Sequence, residues 1–385
     1  MLPRRTGYDA IVIGTGGMGS AAACHLARRG ARVLGLDRFP VAHDRGSSHG
    51  ETRLIRLAYY EHPDYVPLLR RAYALWRNLE HEAARPLLVE SGLVMAGPAE
   101  GEVIAGTIES ARVHGLPLER LSAREAAASW PALRMPEAWD AVYDSAAGYL
   151  FVEECVRAHA AAAMQAGAQL RSAATVHGWR IDGGRAIVDA DGGPFTADRL
   201  VLCPGPWASG LLQLPQVSLT VLRKSLFWFA AAAGREAEHA AGRLPCFAFD
   251  TPAGFFYGFP AIDARGIKVA NHTGGRPVID PLGVDRGIDP QDQAQLEAWI
   301  GEHLPGVSRT VTAHAACLYT MSPDHHFLIG LHPQHPQVAV AAGFSGHGFK
   351  FASVVGEILA DLALTGRTNH PIGFLAPGRF SATPA

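Results

Sequence analysis

A chain of 385 residues exceeds one ordinary hydrophobic core and predicts two domains. Its 48% hydrophobic and 18% charged content is that of a soluble globular protein, and Gly 42 suits a loop-rich α/β enzyme. A formal net charge of −2 gives no electrostatic reason for nucleic acid or an anionic membrane as partner, and no apolar run reaches the roughly 18 residues of a spanning helix. The five cysteines (24, 155, 203, 246 and 317) are odd in number and far apart, which suggests neither a disulfide framework nor a Cys-x-x-Cys metal site. Neither residues 1–9 nor residues 381–385 read as a leader or address signal, so a cytoplasmic protein is expected.

The chain is organised around its opening. An apolar run at 10–13 breaks at Gly14, and after Gly14-Thr-Gly16-Gly17-Met18-Gly19 small and apolar residues follow at helical spacing to Gly30. A second apolar run, 32–36, ends on Asp37, eighteen residues beyond Gly19. Strand, glycine turn, helix, strand and acid make the dinucleotide-binding unit. Its first glycine makes the turn, the second admits a pyrophosphate, the third packs helix on strand, and the acid takes a ribose hydroxyl. This stretch does not decide between NAD and FAD.

Residues 38–50 read as loop and lead into Glu51-Thr52-Arg53-Leu-Ile-Arg56. On a helical turn Arg53 and Arg56 would share a face, as a carboxylate or flavin-edge clamp or as a solvated surface pair. Helices are expected at 65–82, with Trp76 and Leu79 apolar, at 100–127 and at 151–166, where Glu153, Glu154 and Cys155 read as surface and packing. Residues 86–98 read as strand bending near Gly92, and 169–190 as short strands turning at Asp182-Gly183-Gly184. A buried strand at 195–203 runs into Gly205 and Trp207, and is placed to rejoin the first sheet. Further on come a β-rich run at 217–233, a polar loop at 234–243, and a strand at 266–272 whose Lys268 and His272 share a face. A lone lysine in such a pattern reads as solvent-facing. A helix is expected at 289–303.

Towards the C-terminus, Cys317-Leu-Tyr319-Thr-Met-Ser-Pro-Asp-His325-His326 precedes a buried strand at 337–342. Then Gly343-Phe-Ser-Gly346-His347-Gly348-Phe349-Lys350 opens an apolar helix to Leu364. That junction gathers backbone N–H groups and a positive helix end where a reduced flavin or a carboxylate would sit well. The two histidines read as loop residues and not as metal ligands, and no metal is expected.

These motifs, in this order, resemble the monomeric sarcosine oxidase and N-methyltryptophan oxidase family of D-amino-acid-oxidase-like flavoenzymes. The carriers are the opening unit, the Ser48-His49-Gly-Glu-Thr52-Arg53-Leu-Ile-Arg56 loop, the Cys317-x-Tyr319 stretch and Gly346-His347-Gly348-Phe349-Lys350. The resemblance implies an α/β fold with a Rossmann-like FAD-binding domain of glutathione-reductase type. It covers 1–85, 150–215 and 312–385, and an α+β substrate domain on an antiparallel sheet (86–149 and 216–311) is inserted into it. It implies FAD, joined covalently through Cys317, which otherwise reads as inert packing. Cofactor contacts are implied at Gly14, Gly16, Gly17, Met18, Gly19, Asp37, Arg38, Ser48, His49, Thr52, Arg53, Val176, Gly205, Trp207, Cys317, Gly343, Gly346, His347, Gly348, Phe349 and Lys350. Arg56 and Lys350 map to the pair holding a substrate carboxylate, Arg53 to a cation beside the flavin ring, and Lys268 to the lysine that promotes reaction with oxygen. Tyr257, His272, Tyr319 and Gly346 map to the substrate's walls.

The implied activity is oxidation of sarcosine or another N-methyl amino acid to an imine that hydrolyses, with O2 reduced to hydrogen peroxide by a monomer. The competing readings are oxidation of a cyclic secondary amine such as pipecolate or proline, a flavin dehydrogenase, a NAD-dependent dehydrogenase, and a non-catalytic flavoprotein subunit. One departure stands out: Leu57 replaces the family's common histidine, and Tyr59-Tyr60-Glu61-His62-Pro63 replaces a glycine-containing loop that borders the active site.

Overall fold

In the computed structural model, which describes residues 7–380, three sheets organise the chain. The segments 1–6 and 381–385, on which the absence of leader and address signals was read, lie outside the described residues.

The first sheet grows from the opening strand Tyr8–Ile13. It pairs in parallel with Val33–Leu36 on one side and with the late strand Gly193–Leu202 on the other. The rejoining expected from the 195–203 pattern therefore takes place. Gln169–Arg171 extends one edge, and the hairpin Val176–Asp182/Arg185–Ala190 extends the other. That hairpin turns through Gly183 and Gly184, both at positive φ. Beyond the hairpin, Gly193–Leu202 also carries His335–Ala342 in parallel. The C-terminal strand thus arrives at the same edge as the first glycine turn. The helix Gly17–Arg28 lies on this sheet against Ala352–Thr365, and a Cβ on Gly356 would stand 2.5 Å from the backbone of Ala21.

The second sheet has nine strands and is antiparallel, except that Leu93–Pro98 and Cys246–Thr251 run in parallel. Its spine is the ribbon Thr220–Ala231/Val307–Met321, with Lys224 opposite Cys317 and Leu222 opposite Tyr319. A small sheet of Thr52–Ile55, Gly148–Phe151 and Leu88–Val89 lies alongside.

Several expectations need correction. Residues 100–127 are not one helix. Glu102–His114 stops at Gly115 in the left-handed region, Pro117 follows, Glu119–Ser122 is a strand, and a Ser122/Glu125 capping box starts a new helix at Ala123. Arg53 is on a strand and not on a helical turn. The polar loop at 234–243 contains one helical turn, Glu236–His239. Lys268 is 1% exposed, so its face meets protein and not solvent. No helix among the described residues is long and apolar enough to cross a membrane.

Candidate functional site

A cavity of about 850 Å³ runs from the first glycine turn to the inner face of the second sheet. Gly14, at φ +83°, makes the turn, and a Cβ there would lie 2.3 Å from the carbonyl oxygen of Cys203. A Cβ on Gly19 would lie 1.7 Å from the carbonyl oxygen of Gly14, so only glycine lets the helix start rest on the strand end. Gly16 caps the helix without a side chain, so the helix start at Gly16, Gly17 and Met18, which line the cavity, brings the positive helix end to an anion there. The Gly17 N–H donates to Ser48 Oγ at 3.2 Å. Asp37 accepts from the N–H of Thr15 at 2.7 Å and of Phe39 at 2.9 Å, tying the two loops together while it lines the cavity.

At the far end the wall is chemically different. Gly343 and Gly346, both at positive φ, carry the chain past Tyr319, whose ring would stand 2.3 Å from a Cβ on Gly346. His347 Nδ1 is 2.6 Å from the Tyr59 hydroxyl, and burial holds its imidazole down at about 4, hence neutral. Lys350 Nζ donates to the His347 carbonyl at 2.7 Å. Burial, then the Arg56 charge, bring its pKa down to about 7. Arg56 is 5% exposed and lies between the rings of Tyr59 (4.3 Å) and Tyr60 (4.7 Å). Its Nη2 donates to both Glu61 oxygens, at 2.9 and 2.8 Å. Nothing in the sequence marks Glu61 for this part, beyond its position five residues after Arg56.

The remaining candidates divide in two. Met18, Arg38, Val176, Gly205, Trp207, Gly348 and Phe349 line the cavity with Arg53, Tyr257, His272 and Tyr319. Burial raises the Tyr257 and Tyr319 phenols and lowers His272 to about 3. Gly19, His49, Thr52, Lys268 and Cys317 are buried but do not line it. Lys268 Nζ donates to Gly50 O (2.5 Å), Thr52 O (2.9 Å) and Thr52 Oγ1 (3.1 Å), and burial, then Arg53, lower its pKa. Arg53 Nη2 donates to Ser47 O and to Cys317 Sγ, each at 3.1 Å. Burial alone would raise the Cys317 thiol; Arg53 and His49 outweigh it and bring it down to about 6. Glu153, read as helix surface, instead accepts from the N–H groups of Gly50 (2.7 Å) and Glu51 (3.1 Å), holding the loop above Lys268. His325 and His326 serve the loop: the His325 carbonyl is 3.1 Å from His347 Nε2, and His326 Nδ1 is 3.2 Å from the Tyr65 hydroxyl.

These residues fit a dinucleotide carrying a ring system. The cradle at Gly16–Met18 suits a pyrophosphate, and the buried Trp207 Nε1 on the cavity wall has no protein partner. Arg53, Lys350 and the Gly346–Lys350 turn stand where negative charge on a ring would be stabilised.

Comparison with known proteins agrees. Residues 9–362 match the family described as FAD dependent oxidoreductase. The chain is 42% identical to the monomeric sarcosine oxidase of Streptomyces avermitilis, covering 98% of this chain and 99% of that one. It is 36% identical to the N-methyl-L-tryptophan oxidase of Salmonella dublin, covering 97% and 99%. Among solved structures it is similar to NikD, an unusual amino acid oxidase essential for nikkomycin biosynthesis, with a TM-score of 0.84 at 27% identity over 96% and 97% of the two chains.

Proposed function

Because the chain belongs to the family of FAD-dependent oxidoreductases, we propose that it oxidises secondary α-amino acids, sarcosine or another N-methyl amino acid, with O2 as acceptor. The observation that carries this reading is the pair of buried cations, Arg56 and Lys350, at the end of the cavity where Tyr257, His272 and Tyr319 converge. Bound FAD supplies the two-electron acceptor. The chain supplies orientation and charge.

A substrate carboxylate takes the place of the Glu61 carboxylate on Arg56 Nη2 and accepts a second bond from Lys350 Nζ, fixing the amino acid by one end. The cations lower the pKa of the bound ammonium and favour the neutral amine. The amine then loses two electrons and two protons, leaving an imine that water hydrolyses. O2 takes up both electrons and both protons as hydrogen peroxide. Lys268, buried with Thr52 and beside Arg53, lends its positive charge to the anion that forms as oxygen is reduced. The lowered Cys317 thiol beside Arg53 supports a covalent thioether to the flavin. We place the enzyme as a monomer in the cytoplasm, in keeping with its free, buried cysteines.

The test is anaerobic mixing of the purified protein with sarcosine, N-methyltryptophan, pipecolate and proline in turn. Flavin absorbance near about 450 nm is followed, and air is then readmitted. One amine is expected to bleach the flavin, with colour and peroxide returning in air. Bleaching without return in air would make the protein a dehydrogenase, and no bleaching by any amine would remove the substrate assignment.

A further inference from the structure

A substrate held by its carboxylate at Arg56 and oxidised beside Tyr319 lies along whatever joins those two points. Three aromatic rings, Tyr60, Phe255 and His272, join them, and all three line the cavity with Tyr319. Tyr60 stacks on the Arg56 guanidinium at 4.7 Å. Its ring centroid is 6.0 Å from that of Phe255 at an interplanar angle of 66°, and Phe255 meets His272 edge-on at 6.0 Å and 90°. His272 is 5.3 Å from Tyr319.

The second sheet explains the order. Phe255 and Tyr257 alternate on one face of Gly254–Phe259, Tyr257 pairs with Ala248, and Ala248 pairs with Met95. Met95 and Ala248 therefore floor the space below the rings, and both line the cavity. This wall carries no charge: Phe255 has no polar atom, the Tyr60 phenol is held protonated by burial and by Glu61, and His272 is neutral. Tyr60 also belongs to the stretch 59–63 that departs from the glycine-containing loop of the resembled family.

We propose that Tyr60 and Phe255 form a selectivity wall for an apolar, ring-sized side chain on the substrate's α-carbon. The inference rests on the amino-acid oxidase reading above and narrows it. An edge-to-face pair at this spacing offers one face and one edge to a third ring, which packs on them while its carboxylate stays on Arg56. A substrate with no side chain leaves that surface wet. Tyr60 acts here as a specificity residue, touching the substrate's side chain and not its reacting bond.

The test compares kcat/KM for N-methyl-L-phenylalanine with that for sarcosine, two substrates that share the N-methyl group and differ at the α-carbon. The wild-type ratio is expected to favour the phenylalanine derivative by about tenfold or more. Tyr60→Gly and Phe255→Ala should each lower the ratio about tenfold, mainly through KM for the larger substrate, while Tyr60→Phe retains it. Flavin absorbance and thermal unfolding of each variant show that it is folded and loaded. A ratio unchanged or raised in both Tyr60→Gly and Phe255→Ala overturns the wall. Bleaching of the wild type by sarcosine alone also overturns it and leaves the oxidase reading standing. Bleaching by neither amine removes the reading itself, and the wall with it.

Discussion

Cys317 is surrounded by groups that favour its thiolate: a guanidinium nitrogen 3.1 Å from Sγ and the imidazole of His49, in a site with no solvent. At the other four cysteines burial dominates and pushes Cys24, Cys155, Cys203 and Cys246 up, even where Arg28 faces Cys24 and Lys268 faces Cys246. We expect acid precipitation of the wild type to give a yellow pellet and of Cys317→Ser a colourless one. A colourless wild-type pellet refutes the covalent link. Lys350 makes a second prediction. Its folded pKa of about 7 means that the ammonium discharges as pH rises past neutrality, while Arg56 stays charged. Acetate, as a competitive carboxylate ligand, should bind roughly tenfold more weakly at about pH 8 than at about pH 6. Lys350→Arg should flatten that dependence, and an equal slope in both proteins would move the titrating group elsewhere.

Among the elements, the first glycine turn is legible in sequence because each glycine has a steric reason that holds in any such unit. Gly19→Ala tests it. The added methyl meets the Gly14 carbonyl at 1.7 Å, so we expect overpacking of about 3 kcal/mol or more and protein that carries little or no flavin. Normal flavin content in that variant would contradict the packing argument. The strand at 52–55 is less legible. Arg53 and Arg56 are spaced for one helical face, and in a strand a separation of three would put them on opposite faces. They share the cavity because the strand ends at Ile55 and Arg56 swings clear of the pleat. Lys268 fails as a sequence reading for a related reason. Alternation tells which residues share a face, but not that Gly50, Thr52 and Trp228 from distant stretches cover it. The same limit hid Glu61, Glu153 and the aromatic wall, since each acts through neighbours brought in by the fold.

For the molecule as a whole, the order of motifs carried the fold class, because the opening strand and the late strand His335–Ala342 both pair in parallel with Gly193–Leu202 in one mixed sheet. What binds those ends is partly electrostatic. Glu357, in the C-terminal helix, takes a two-pronged ion pair from Arg71 at 2.8 and 2.6 Å and a contact from His370 at 3.0 Å. Burial would raise its carboxyl, but Arg71 and His370 outweigh it and hold it well below the usual carboxylate range. A lowered folded pKa contributes stability that is present above about pH 4.5 and is lost as the pH falls towards the folded value. Glu357→Gln should therefore lower Tm at neutral pH by about 2–4 °C, with the gap to wild type closing on acidification. A gap independent of pH would assign the effect to packing.

The long ribbon Thr220–Ala231/Val307–Met321 has one more consequence. Cys317 lies well inside it, opposite Lys224, whereas the glycine cradle belongs to the other sheet and to the other end of the chain. The thioether proposed at Cys317 would turn the cofactor from an exchangeable guest into part of the covalent polymer. Its copy number would then equal that of the chain. Dilution would not strip it, and a chain that unfolds would keep its own flavin within reach of the cradle when it folds again.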